Sequence, residues 1–133
     1  MKLLKLLLPF LIMATGSIIA GNKLILNEPP AKTIMFKHPG AENATTFFSG
    51  SKVYNFEIFK AGTAAEMEAI VKSLSADKAV ESCTKGNLYG DYLSVTLTLK
   101  SNKDKAWFIA AFKKAGLNHI RLNNHEIIAV DKL

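Results

Sequence analysis

Few side chains in this chain are suited to chemistry. It has one cysteine, Cys83, three histidines, His38, His119 and His125, and four methionines, of which Met67 falls near an expected helix start. Cys83, Met67 and His38 are the donors that would suit a soft or borderline transition metal such as copper. Nucleophilic catalysis needs a base beside the nucleophile and a third group to orient it, and no histidine here stands in such a motif. There is no glycine-rich phosphate loop, no His-Glu-x-x-His and no paired-cysteine spacing. The chain therefore reads as a non-enzyme with no resident cofactor, the alternative being copper or another transition metal on those three donors.

Two further constellations have the right spacing for a role. His119 and His125 flank Asn123-Asn124, but a two-residue turn there pairs Leu122 with His125 and Arg121 with Glu126. That register sets the two histidines on opposite faces and makes Arg121 and Glu126 a cross-strand charge pair. The other is Thr63-Ala64-Ala65-Glu66, inside "FKAGTAAEMEAIVKSL", which runs from a strand through a glycine turn into a helix. Helix starts of this form attract anions. Thr63 and Glu66 also make a complete capping box, in which the Glu66 carboxylate returns to the Thr63 N–H.

The elements that must position these residues begin after a leader. Met1 to Lys5 is a basic start, Leu6 to Met13 is apolar and broken only by Pro9, and Ala14 to Gly21 is rich in small residues. That order predicts a signal peptide over 1–21, and export to a periplasmic or extracellular compartment. The rival is a retained anchor, which Lys5 and Pro9 leave short of a membrane span. Without Lys2 and Lys5 the formal charge falls from +6 to +4, too diffuse for a nucleic-acid groove. The 112 residues that remain suffice for one domain. A single cysteine in an exported chain is expected to be buried as a small hydrophobe, the alternative being pairing with another molecule.

Residues 22–50 read as an irregular lead-in, interrupted by Pro29-Pro30, His38-Pro39-Gly40 and Ser49-Gly50, with Met35-Phe36 and Phe47-Phe48 apolar enough to pin it down. Asn43-Ala44-Thr45 has the form of a glycosylation acceptor. From Ser51 the patterning sharpens. Tyr54, Phe56 and Ile58 alternate inward on a strand over 53–59. Met67, Ile70, Val71 and Leu74 form one helical stripe, with Glu68 and Lys72 as an i,i+4 pair. A strand over 79–84, a hairpin loop over 86–90 and a strand over 92–99 follow, the last with Leu93, Val95, Leu97 and Leu99 inward and Tyr92 as its only aromatic. Ser101 to Asp104 has the capping-box form before a helix that buries Trp107, Phe108, Ala111, Phe112 and Ala115 and stops at Gly116. The end, 118–133, reads as strand, turn, strand.

Strand, helix, strand, strand, helix, strand over 51–133 predicts an α+β, ferredoxin-like sandwich. Its four-stranded antiparallel sheet would carry two helices on one face, with an extra C-terminal strand. In this order of elements, in the glycine-bearing loop before the first helix and in "FKKAGL" at the end of the second, the chain resembles the heavy-metal-associated domain of copper chaperones and metal-transporting ATPases. The resemblance covers about Val53 to Leu122. It implies that Thr63 and Glu66 occupy the positions where that family carries the two thiolates of Met-x-Cys-x-x-Cys. Hydroxyl and carboxylate are hard donors, poorly matched to Cu(I). The expected function is therefore an exported binding or interaction module that meets an unknown protein partner through an open sheet face or edge, without nucleic acid. The alternative is a metal-binding protein with an atypical site.

Overall fold

The structure is a computed structural model that describes residues 28–37, 43–123 and 125–133. The expected signal peptide, His38 and Asn124 lie outside the described residues. In chain order the elements are β1 (Thr33–Phe36), α1 (Ala44–Ser49), β2 (Val53–Phe59), α2 (Ala64–Ser75), β3 (Val80–Tyr89), β4 (Tyr92–Leu99), α3 (Lys105–Lys114), β5 (His119–Leu122) and β6 (Ile128–Ala129), with a closing 3-10 turn at Val130–Lys132. None of the described helices is long and apolar enough to cross a membrane.

The fold is α+β, but the described sheet has six strands in the order β3-β4-β2-β1-β5-β6 and is mixed, and there are three helices rather than two. β1 pairs antiparallel with β2 and parallel with β5, while the other neighbours are antiparallel. The segment expected to be an irregular lead-in thus supplies a central strand. It also supplies α1, whose N-cap Asn43 accepts from the Thr46 N–H through Oδ1 at 2.9 Å. An N-cap of this kind satisfies one of the helix's unpaired donors.

One face of the sheet carries the core. Ile34 and Phe36 of β1, Tyr54, Phe56 and Ile58 of β2, Leu93, Val95, Leu97 and Leu99 of β4 and Ile120 of β5 are all buried in a single cluster. Onto it α1 sets Phe48, α2 sets Ile70 and Leu74, and α3 sets Phe108 and Phe112. All three helices therefore lie on this face. The Tyr54 hydroxyl donates to the carbonyls of Phe47 and Phe48, at 3.2 and 2.8 Å, which ties the end of α1 to β2.

Several local expectations shift. β3 runs on through Tyr89, with bulges between Val80 and Ser82 and between Lys85 and Leu88, so 86–89 is strand and the turn is Gly90-Asp91. α3 is capped by Asp104, whose Oδ1 accepts from the Trp107 N–H at 3.0 Å, and not by Ser101. Glu68 pairs with Lys85 of β3 and not with Lys72, because the strand brings a cation to the helix flank. At the far end of α3, Gly116 and Leu117 donate back to Lys113 and Phe112, at 3.0 and 2.9 Å, as its glycine stop requires.

Candidate functional site

The loop entering α2 folds as its sequence dictates. The Thr63 hydroxyl accepts from the Glu66 N–H at 3.2 Å, and Glu66 Oε2 accepts from the Thr63 N–H at 2.7 Å, so the capping box is complete. Gly62 turns the chain at φ +105°, and a Cβ there would lie 2.2 Å from Glu66 Oε2. Lys32 reaches Glu66 Oε1 at 3.3 Å. The Thr63 amide, followed by the Lys32 ammonium, holds the Glu66 carboxyl below its ordinary range. The anion-attracting end of α2 is thus occupied by the protein's own carboxylate. Thr63→Ala is expected to cost about 0.5–2 kcal/mol, read as a lower urea midpoint with an unchanged slope, and Thr63→Ser to restore most of it.

Two of the soft donors are described, and His38 lies outside the described residues. Cys83 is buried on the inner side of β3, and its thiol hydrogen-bonds Ser75 in the last turn of α2. Met67 is partly buried in the first turns of the same helix. Eight residues of helix separate Met67 from Ser75, about 12 Å along the axis. Among the described residues no group of three His, Cys, Asp or Glu side chains is placed to hold a metal ion.

His119 and His125 lie on different sides of the sheet. His119 pairs with Ala129 and with Thr33 on the face away from the helices, while His125 lines a cavity with Ile120 and Leu122 on the helix-bearing side. The register differs from expectation. β5 and β6 pair His119 with Ala129 and Ile120 with Ile128, one residue off the two-residue-turn register, with β5 ending at Leu122 and β6 starting at Ile128. The expected Arg121–Glu126 pair is therefore absent: none of the ion pairs among the described residues includes Arg121, and its Nε is buried without an acceptor.

What the sequence did not signal is the outer edge of β3. Among the described residues this strand pairs on one side only, with β4, and Glu81, Ser82 and all residues from Thr84 to Tyr89 are exposed. Leu88 and Tyr89, at 54% and 62% exposure, are two of the three exposed large hydrophobic residues among those described. Tyr89 is paired with Tyr92, and the Tyr92 ring lies 5.2 Å from that of Phe59. An aromatic row therefore runs from the edge inward across β3, β4 and β2, on the face that no described helix covers. Lys37 Nζ sits 5.8 Å over Tyr92 and pairs with Glu57, which adds charge beside the row. Lys85, the cation that would ordinarily guard such an edge, is drawn onto Glu68 of α2.

Comparison with protein-family models, with curated proteins and with solved structures returns no match.

Proposed function

We propose that this chain is an exported, non-catalytic binding module that takes an extended segment of a protein partner along the outer edge of β3. The observation that carries this reading is the long one-sided strand ending in exposed Leu88 and Tyr89. Edge strands recognise extended peptides through main-chain hydrogen bonds, while alternate side chains give specificity. The bulges break β3 into short regular stretches, Ser82–Lys85 being one, which discourages unlimited sheet growth and leaves room for a short peptide. Leu88 and Tyr89 would then meet apolar or aromatic side chains of the partner.

The same reading places the chain on a ferredoxin-like plan with β1 inserted. Without β1, the strands β3, β4, β2 and β5 alternate in direction, since β5 runs parallel to β1 and β1 antiparallel to β2. α2 and α3 provide the two crossovers, as in a βαββαβ chain. The likeness to a heavy-metal-associated domain belongs to this proposal. Thr63 and Glu66 form a cap at the thiolate positions, consistent with a module that has exchanged metal chemistry for protein contact.

Peptides selected from a random library on the purified protein provide the test. Bound peptide is expected to shift backbone amides of Ser82 to Tyr89, and Leu88→Asp with Tyr89→Asp to weaken binding by about tenfold or more. Both side chains are exposed, so the double variant is expected to keep its melting temperature. Failure to select any peptide, or shifts confined to other elements, would overturn the edge as the binding surface.

A further inference from the structure

A cavity of about 260 Å³ opens between the start of α1 and the β5–β6 pair. Ile120, Leu122, Ile128 and Leu133 supply its apolar lining, and Asn43, His125 and Glu126 its polar groups. For comparison, an apolar cavity of about 150 Å³ stays dry and admits benzene. This one has room for a fused two-ring body. Ile120 is fully buried, while Leu122, Ile128 and Leu133 are only half-buried, so aliphatic surface faces the space. Covering that surface with a ligand removes it from water.

The polar groups give the ligand its chemistry. Glu126 is exposed and makes no ion pair among the described residues. Asn43 spends its Oδ1 on the Thr46 N–H, and its amide N–H groups have no hydrogen-bond partner among the described residues. Among the described residues His125 is tied down through its backbone, whose N–H donates to the Leu122 carbonyl at 3.0 Å. Apolar walls with a few convergent polar groups are the usual make-up of a small-molecule site. Among the described residues lining the cavity the one charged side chain is the Glu126 carboxylate, which favours a cationic ligand head and disfavours an anionic one.

We propose that this cavity binds a small aryl-alkylamine, its planar ring system against Ile120, Leu122, Ile128 and Leu133 and its ammonium toward Glu126. The site lies on the helix-bearing side of the sheet, away from the β3 edge, and is independent of peptide binding there.

The probes are tryptamine and indole-3-propionate, which share a two-ring body and differ in the charge of the arm. Titrated into the ¹⁵N-labelled protein at millimolar concentration, tryptamine is expected to shift the amides of Asn43, Ile120, Leu122 and Ile128. It should bind about two- to fivefold more tightly than indole-3-propionate, within the range open to an exposed charge contact. Glu126→Gln is expected to erase that preference while leaving the apolar contact. Ile128→Trp, which fills the cavity, is expected to abolish binding of both. Leu122→Phe, a milder filling change, gives the same test should the tryptophan variant fail to fold. Absence of tryptamine shifts at these residues, binding that survives a folded cavity-filled variant, or a preference untouched by Glu126→Gln would overturn the proposal.

Discussion

Phe36→Ala is expected to lower the free energy of unfolding by about 3–5 kcal/mol, the range for deleting a fully packed phenylalanine. The reason is where β1 lies. Phe36 is 2% exposed, and its ring centroid is 5.1 Å from Phe47, 5.6 Å from Phe48, 6.3 Å from Tyr54, 5.1 Å from Phe56 and 6.4 Å from Phe112. One side chain thus joins α1, β2 and α3. Its carbonyl accepts from the Asn123 N–H at 2.7 Å, so the end of β1 also fixes the exit of β5. Domains of this size are stable by about 5–15 kcal/mol, so the loss would remove a large share of the total. Urea denaturation measures it. Val53→Ala, at a side chain 50% exposed, serves as the control and is expected to stay within about 0.5 kcal/mol. A cost below about 1 kcal/mol for Phe36→Ala would mean that the segment before Ser51 is an accessory and not part of the core.

That outcome bears on what could be read from the sequence. β2 and β4 announce themselves because one face is covered and the other is not, so Tyr54, Phe56 and Ile58, and Leu93 to Leu99, alternate with polar residues. β1 cannot do so. Thr33, Ile34, Met35 and Phe36 are buried on both faces, and a four-residue apolar run between prolines shows no period. β3 is hidden for the opposite reason. An edge strand exposed at Glu81, Ser82 and Thr84 to Tyr89 has no hydrophobic alternation, and Gly86 and Gly90 make its second half look like a loop. The capping box at Thr63 and Glu66 was legible because its partners are three residues apart. The cavity was not, since Asn43 meets Ile120 and Leu133 only after the inserted strand has closed the sheet. The Arg121–Glu126 expectation failed on a one-residue slip, which reassigns every side chain of the pair to a different neighbour.

Cys83 carries the second large effect. Burial pushes its thiol up from 9.0 to about 11, against a smaller lowering by the Ser75 hydrogen bond. The thiolate is the reactive species, and each unit is a factor of ten, so its population near neutral pH falls about a hundredfold. Labelling by a disulfide reagent at pH 8 is expected to slow at least in that proportion in the folded protein, and to return to the ordinary rate in denaturant. The linkage to stability has a definite sign. Folding favours the neutral thiol, so its contribution is complete below the ordinary value of 9.0 and is lost as pH rises toward about 11. Burial raises the Tyr54 phenol as well, and that contribution is lost in turn above its ordinary value of 10.0. The melting temperature is therefore expected to fall above pH 9, and Cys83→Ala to remove the earlier part of the fall while leaving the part due to Tyr54. Rapid labelling of the native protein at pH 8 would contradict a thiol closed beneath α2. The same closure constrains any metal on this residue. A soft ion needs the thiolate, so its binding to Cys83 would have to displace the proton and open the contact between α2 and β3, and would register as a loss of thermal stability.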